Sequence, residues 1–226
     1  MERVESGLRW AASATMLAAL FLIFCVVPTE AEMGIVQRIF YFHVPCAFTA
    51  YAGFLTVAVS SVVYLVKRSV VADRLAIAAA EVGVLFCTLV LVTGPIWAKP
   101  AWGVWWTWEA KITTTLVLWL LLAGIVLARG YATTQEQAAR VGAVLGVVAA
   151  LDVPIVYKAV DWWRGQHPIV FGPGRGNPLA PGMGAALGLG FLAVTILFAA
   201  LVVLRMRLAV LEEGLAAAED AAWSRS

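Results

Sequence analysis

The sequence predicts an all-helical integral membrane protein with six transmembrane helices. Of its 226 residues, 62% are hydrophobic and 13% are charged, and the mean hydropathy is +0.89. These values lie outside the range of soluble domains. A helix of roughly 20 residues crosses a hydrocarbon core of about 30 Å, and six apolar stretches approach or exceed that length. We place these spans, which form a single membrane domain over residues 1–226, at residues 10–27, 44–66, 75–97, 112–128, 138–157 and 184–204.

The distribution of Lys and Arg predicts which end of the helices faces the cytoplasm. Of the 16 basic residues, ten lie on the side that holds both termini and six lie on the other side. By the positive-inside rule, both termini, the connections 67–74 and 129–140 and the tail 205–226 are predicted to be cytoplasmic. The tryptophan-rich segment 97–111 and the long loop 158–183 are then predicted to lie on the outer face, together with the first outer connection.

The first two spans are joined by an outer connection that ends in Phe42-His43-Val44-Pro45. The first span follows Arg3 and Arg9, as a secretory signal would, but its apolar run exceeds the roughly 7 to 15 residues of a signal core, and we expect it to be retained. Pro45 suits the first turn of helix two, because its missing N–H is not needed there. His43 is therefore predicted at the outer membrane boundary.

The later spans contain a few polar residues. Glu81, near the cytoplasmic end of helix three, is expected to pair with a Lys or Arg of that side. Asp152, near the outer end of helix five, either lines an outer cavity or captures Lys158. Residues 113–115 are threonines whose hydroxyls we expect to bond their own helix backbone. The Gly- and Pro-rich run 172–184 is expected to be irregular and outside the membrane core.

The segment 97–111 contains five of the ten tryptophans. In a helix, Trp102, Trp105, Trp106 and Glu109 would share one face at i, i+3, i+4 and i+7, with Trp108 elsewhere. Such a face suits a large planar ligand, whereas the alternative is an interfacial aromatic belt. Seven tryptophans fall on the predicted outer side, and a belt should occupy both interfaces. The asymmetry favours a ligand platform.

The chain has two histidines, His43 and His167, and the predicted topology places both on the outer side. Two neutral imidazoles flanking an aromatic surface are suited to the iron of a porphyrin, as axial ligands above and below the macrocycle. Cationic side chains on the same side are candidates to meet the two propionates; these are Arg38, Lys99, Lys111, Arg164 and Arg175.

Other kinds of site are less well supported. Zinc normally takes three or four protein ligands, and the outer side offers two histidines without suitably spaced cysteines. Neither histidine has a Ser or Cys partner in a hydrolase motif, no phosphate-binding glycine loop is present, and no basic cluster indicates nucleic acid. Cys25, Cys46 and Cys87 are expected to be buried small hydrophobic residues.

Three motifs, in order, carry a resemblance to a known family. The octapeptide from Trp102 to Glu109 resembles the tryptophan-rich WWD signature of the haem-handling proteins of cytochrome c maturation. Phe42-His43-Val44-Pro45 before it, and Trp162-Trp163 leading to His167 after it, are most similar to the six-helix CcmC type. The resemblance spans nearly the whole chain. Glu109 stands where the signature normally has Asp, and Lys111 where related sequences commonly have Arg, a change that removes a bidentate donor.

The resemblance implies a protein of the bacterial inner membrane that binds haem b at its periplasmic face, with His43 and His167 as axial ligands. It implies delivery of that haem to the periplasmic chaperone CcmE, in a complex with the ABC transporter subunits CcmA and CcmB and the small subunit CcmD. We expect a binding and handover protein without classical catalytic activity. The expected haem site comprises His43, His167, Trp102, Trp105, Trp106, Trp108, Glu109, Arg38 and Lys111.

Two alternative functions stay open at this point. A membrane b-type cytochrome would transfer electrons, but such proteins hold haem between histidines inside the bundle, and five of the six predicted helices contain none. A permease subunit of a transporter would use the tryptophans as simple membrane anchors. The visible spectrum of the purified chain distinguishes the three, because a permease binds no haem and a cytochrome cycles reversibly with a quinol.

Overall fold

The computed structural model describes residues 2–168, 179 and 182–223. Apart from one isolated bridge between Glu30 and Gly34, the regular structure of these residues is helical. A π-helical turn, Leu22–Val26, continues the first helix, and a 3-10 turn, Ile35–Ile39, leads into the second. The α-helices are α1 (Glu2–Phe21), α2 (Phe40–Lys67), α3 (Val70–Trp102), α4 (Ala110–Gly130), α5 (Gln135–Ala149), α6 (Asp152–Trp163) and α7 (Met183–Trp223).

Six helical stretches of the described chain are long and apolar enough to cross a membrane. They are Arg3–Val26, Ile35–Lys67, Val70–Trp102, Ala110–Gly130, Gln135–Trp163 and Met183–Trp223. The prediction of an all-helical protein with six long apolar helices is therefore confirmed. Helix α7 has 41 residues, which corresponds to about 60 Å, or roughly twice the hydrocarbon thickness. It continues through most of the predicted tail 205–226.

The fifth span is not one continuous helix. Helix α5 ends at Ala149 and α6 begins at Asp152, because Pro154 has no N–H with which to continue the hydrogen-bond ladder. Asp152 lies in the first turn of α6, and one of its carboxylate oxygens is buried without a hydrogen-bond partner. Neither alternative for Asp152 is seen: Lys158 pairs with Asp161 at 3.4 Å, and Asp152 does not line the cavity described below.

Helix α2 lies at the centre of the bundle and packs against α3, α5 and α7, while α1 packs along α7. Pro45 leaves the carbonyl of Tyr41 without its usual helical donor, and the backbone of α7 approaches that carbonyl closely. A Cβ atom on Gly190 would lie 2.6 Å from Tyr41 O. Glycine is therefore required where α7 crosses the start of α2.

The opposite end of the bundle is fixed by ion pairs. Arg129 at the end of α4 makes two hydrogen bonds to Asp73 of α3, at 2.5 and 3.0 Å, and a third to Ala138 O of α5 at 3.3 Å. The side chains of Arg129 and Asp73 are 10% and 5% exposed. A bidentate pair with a further backbone acceptor satisfies both buried charges and joins three helices.

Helix α7 is joined to its neighbours at the same end. Arg205 pairs with Glu81 of α3, so the expected pairing of Glu81 with a basic residue is observed, and Arg205 also lies 3.3 Å from Glu212. Arg207 donates to the buried Glu5 of α1 at 2.6 Å. These contacts hold α7 against α1 and α3 at this end of the bundle.

Two smaller expectations have mixed outcomes. Thr114 and Thr115 donate to the carbonyls of Ala110 and Lys111 at 2.7 Å, as expected, whereas the hydroxyl of Thr113 is buried without a partner. Cys46 and Cys87 are buried. The expectation of burial is wrong for Cys25, which is exposed on the π-helical turn, where the side chain points away from the bundle.

We predict that Asp73→Ala destabilises the fold by about 3–5 kcal/mol, because it leaves Arg129 buried without its counter-charge. The free energy of unfolding in mixed detergent–SDS micelles measures this. Glu136→Ala is the matched control, since Glu136 forms an exposed pair with Arg140, and we expect a change below about 1 kcal/mol. Equal effects of the two substitutions would contradict the role assigned to the buried pair.

Candidate functional site

A cavity of about 430 Å³ opens among α2, α3, α4, α6 and the segment that follows α6. Its volume falls in the range of about 300–1,000 Å³ that is usual for small-molecule sites. The walls are mainly apolar, with a few polar groups between them. They include His43, Trp97, Trp102, Trp106, Lys111 and His167.

The structure brings the two histidines together in this cavity. His43 lies in the first turn of α2. His167 follows α6. The residue after this helix, Arg164, is left-handed, with a φ of 52°, and the chain beyond it places His167 and Pro168 in the cavity wall. The ring centroids of His43 and His167 are 6.4 Å apart, and the ring planes differ by 34°.

This separation matches two imidazoles that bind one metal ion from opposite sides. A bond from a first-row metal to an imidazole nitrogen is about 2.0–2.1 Å long, and the nitrogen lies about 1.1 Å from the ring centroid, which gives centroids about 6.3 Å apart. Ring pairs in direct contact have centroids about 4.5–7 Å apart, a range that includes the observed 6.4 Å. The two imidazoles are therefore neighbours in the cavity wall, within reach of one shared ion.

Hydrogen bonds define the tautomer of each ring. His43 Nδ1 lies 2.8 Å from Thr93 Oγ1, and the same hydroxyl lies 2.6 Å from Leu89 O; we assign the Thr93 proton to Leu89 O, so that Nδ1 of His43 donates. His167 Nδ1 lies 3.0 Å from Pro168 O, a carbonyl that only accepts. Each ring therefore carries its proton on Nδ1 and its lone pair on Nε2. This is the arrangement of most metal-binding histidines, in which the second nitrogen donates to an oxygen atom.

The protonation of His167 also favours a ligand role. Burial lowers the pKa of its imidazole, and the nearby charge of Lys111 lowers it further, whereas the hydrogen bond to Pro168 and the charge of Glu109 raise it; the net shift is downward. A lowered pKa keeps the ring neutral at pH values at which an ordinary histidine begins to protonate. The Nε2 lone pair of His167 is thus available at neutral pH.

The tryptophan-rich segment is not one continuous helix. Gly103, with a φ of 77°, ends α3, and residues 104–109 form an irregular connection to α4. The helical face expected for Trp102, Trp105, Trp106 and Glu109 is therefore wrong, because a left-handed glycine C-cap stops the helix after Trp102.

Some indoles of the tryptophan-rich segment face the cavity, and the others are exposed. Trp102 and Trp106 line the cavity together with Trp97, whereas Trp105 and Trp108 are 59% and 75% exposed and do not line it. Trp102 packs edge-on against His167 at 6.4 Å and against Trp97 at 5.2 Å between ring centroids. The cavity is bordered by three indoles, two of which come from α3.

Of the cations expected near the site, Lys111 lines the cavity. Lys158, which was not among the expected residues, lines it as well. Lys111 Nζ donates to Tyr51 OH at 3.1 Å and to Val156 O at 2.9 Å, so its ammonium is held between α2 and α6. Tyr51 lines the cavity as well. One of the donor positions of this ammonium remains for an anion.

The other expected cations lie elsewhere. Arg38 stacks on Phe24, with its guanidinium carbon 5.5 Å from the ring centroid, and Lys99 donates to Gly103 O at 2.8 Å, at the end of α3. Neither side chain is part of the cavity wall, and Arg164 is exposed after α6. Arg175 lies outside the described residues.

Glu109 does not line the cavity, but it contacts the segment that carries His167. Its Oε2 accepts a hydrogen bond from the backbone N–H of Gln166 at 2.7 Å. Its Oε1 is buried without a partner. The carboxylate thus connects the start of α4 to the residue before His167.

The sequence alone did not indicate two of the residues around His43. Thr93 orients the ring, and a Cβ atom on Gly94 would lie 3.4 Å from the Cε1 atom of His43, so the glycine leaves space for the imidazole. The available signal was the polar, flexible Thr93-Gly94-Pro95 sequence inside an otherwise apolar helix. Such an interruption marks a site where a helix approaches a ligand or another element closely.

A family model described as CcmC, Heme exporter protein C, matches residues 1–221. The chain belongs to the Heme exporter protein C family. It is similar to the Heme exporter protein C of Bradyrhizobium diazoefficiens, with 34% identity over 71% of this chain and 62% of that protein. It is also similar to the Heme exporter protein C of Escherichia coli strain K12, with 32% identity over 80% of this chain and 73% of that protein. The match with the first relative therefore spans about three fifths of its length.

This family relationship and the six apolar helices indicate a multi-pass membrane protein. The three motifs that carried the resemblance converge on the cavity. His43 enters from the start of α2, Trp102 and Trp106 from the tryptophan-rich segment, and His167 from the turn after α6. Other residues of these motifs are exposed and do not line the cavity, among them Trp105, Trp108, Trp162 and Trp163.

We predict that ¹⁵N NMR of the chain labelled on its two histidines shows both rings protonated on Nδ1 at neutral pH. Thr93→Val should shift His43 towards a mixture with the Nε2-protonated tautomer, because the acceptor for Nδ1–H is lost while the side-chain shape is kept. The signals of His167 should not change. A wild-type His43 ring that is protonated on Nε2 would contradict the assignment.

Proposed function

We propose that this chain binds haem b between His43 and His167 at the periplasmic face of the inner membrane and hands it to the haem chaperone CcmE during cytochrome c maturation. Membership of the Heme exporter protein C family supports a role in haem handling. The observation that carries the proposed site is the pair of imidazoles 6.4 Å apart, each with Nδ1 engaged and Nε2 available.

Two histidine ligands are enough for an iron atom that is already bound by a porphyrin. Among the described residues, no group of three or more His, Cys, Asp or Glu side chains is placed to hold a metal ion. Two imidazoles complete the coordination of a porphyrin iron, which has two axial positions to fill. The porphyrin supplies the remaining four nitrogen ligands, and the chain supplies the fifth and sixth.

The cavity walls suit the porphyrin ring and its carboxylates. Trp97, Trp102 and Trp106 offer apolar surface to a macrocycle, and the ammonium of Lys111 is placed to meet a carboxylate. Lys158 also lines the cavity, where it pairs with Asp161. We assign the aromatic platform to Trp102 and Trp106, and we assign no direct haem contact to Trp105, Trp108 or Arg38.

The placement of the ligands suits handover better than permanent storage. His43 lies at the end of a helix, and His167 lies on irregular backbone directly before Pro168. Both are at one end of the bundle, whereas a membrane b-type cytochrome holds its haem between histidines deep within the helices. A ligand on a short turn can leave the iron without any change in the packing of the helices.

The outer location and the partners are also part of the proposal. The excess of Lys and Arg at the end that holds both termini supports a periplasmic position for the cavity. We propose that the chain works with the ABC transporter subunits CcmA and CcmB and the small subunit CcmD. The ion-paired end of the bundle, with Asp73 and Arg129, then faces the cytoplasm.

We predict that His43→Gly and His167→Gly each remove the low-spin six-coordinate haem spectrum of the purified chain. Added imidazole should restore that spectrum, because each substitution deletes only a nitrogen donor from a formed pocket. The visible absorption spectrum with and without imidazole measures this. Normal spectra for both variants without imidazole would show that iron is held by other groups.

We predict a different result for the aromatic wall. Trp106→Ala removes apolar contact from the cavity, on the order of a few kcal/mol for a buried aromatic side chain, so haem occupancy should fall and imidazole should not restore it. Trp105→Ala is the matched control, since Trp105 is 59% exposed, and its occupancy should stay close to that of the wild type. The haem-to-protein ratio after purification is the measurement, and a larger loss in Trp105→Ala would contradict the assigned platform.

We predict that a membrane-impermeant thiol reagent labels Val104→Cys from outside intact cells and does not label Tyr131→Cys until the membrane is opened. Both positions are exposed, at 42% and 87%, and Cys25→Ser removes the exposed native thiol from the background. Labelling of Val104→Cys only after opening the membrane would place the cavity on the cytoplasmic side and would contradict the proposed delivery to the periplasm.

A further inference from the structure

The turn after α6 positions His167 through its backbone. Arg164 ends the helix in the left-handed conformation, and two residues later the N–H of Gln166 donates to Glu109 Oε2 at 2.7 Å. This is a charge-assisted hydrogen bond, which is stronger than a bond between neutral groups. It anchors the Gly165–Gln166 peptide, one residue before His167.

The side chain that accepts this hydrogen bond belongs to the residue at the start of a helix. Glu109 is the N-cap residue of α4, a place where polar side chains usually accept a hydrogen bond from the first turn of their own helix. The Glu109 side chain makes no such capping bond. Its carboxylate crosses to the turn after α6 instead, so its main hydrogen bond serves the segment that carries His167.

Gly165 is fitted to the same contact. A Cβ atom at Gly165 would lie 2.7 Å from Glu109 Oε2, which is closer than real Cβ contacts allow. Gly165 does not have a positive φ, so its backbone conformation does not require glycine. The absence of a side chain is explained by the approach of the carboxylate.

We propose that Glu109 is a positioning residue that holds His167 in place for iron, through the Gln166 N–H and the space left by Gly165. The proposal rests on the proposed role of His167 as an axial ligand. Glu109 itself does not touch the iron. The contact between Glu109 and Gln166, which we call the clasp, connects the tryptophan-rich segment to the turn that carries His167. Trp102 packs edge-on against the His167 ring.

The first test uses the haem-free, full-length chain in detergent and measures amide hydrogen exchange over residues 164–168. Glu109→Ala removes the acceptor of the Gln166 N–H. Gly165→Ala adds a methyl group that pushes the Glu109 carboxylate away from this N–H, and the fold should tolerate it because only the flexible end of Glu109 must move. Both should speed exchange of the Gln166 amide by roughly tenfold or more, as expected for loss of a bond to a charged group. Glu109→Gln keeps an acceptor and should have a smaller effect. Unchanged exchange in Glu109→Ala would overturn the clasp.

The second test measures haem transfer to apomyoglobin from the wild type, Glu109→Ala, His167→Gly and the double variant. If Glu109 acts through His167, Glu109→Ala speeds transfer in the wild-type background, added imidazole slows it again, and the substitution adds nothing to His167→Gly. Additive effects in the double variant would overturn the positioning role while leaving His167 as a ligand. If His167→Gly alone changed neither the spectrum nor the transfer rate, the proposed function itself would fail, and the amide exchange would still report on the clasp.

Discussion

The site depends on the hydrogen bonds that the Nδ1 atoms of both imidazoles donate to oxygen atoms. Thr93 accepts from His43 because its own proton is given to Leu89 O, and Pro168 O accepts from His167. With the protons fixed there, two Nε2 lone pairs share one cavity, an arrangement that favours a cation between them. The start of α2, the last turns of α3 and the turn after α6 must all keep their places for this pair to exist.

Among the described residues, the two ends of the bundle differ in whether their polar side chains have partners. At the end with the termini, Asp73, Arg129, Glu81 and Arg205 are matched in ion pairs, which fixes helix positions. At the cavity end, the described residues include buried polar atoms without hydrogen-bond partners, among them Trp106 Nε1, Thr107 Oγ1, Glu109 Oε1 and Thr113 Oγ1. Buried polar atoms are normally paired, and these four lie on or directly beside the tryptophan-rich segment.

Hydropathy was sufficient to predict six apolar helices, because each backbone group in a membrane must be bonded within its own helix. The convergence of His43 and His167 at one end followed from that topology. Local geometry was not predictable in the same way. The period of Trp102, Trp105 and Trp106 indicated a helical face, but the left-handed Gly103 ends α3 and divides the indoles. The supporting contacts of Thr93 and Glu109 join residues far apart in sequence, so no local pattern reveals them.

The central claim is that one iron is held by both histidines of this chain. Electron–nuclear double resonance on the ferric haem-loaded protein, labelled with ¹⁵N only at histidine, tests it most directly. The geometry predicts hyperfine coupling to two ¹⁵N-labelled axial nitrogens, one from His43 and one from His167, with one of the two lost in each single His→Gly variant. Coupling to a single histidine nitrogen, or to none, in the wild-type protein would contradict it.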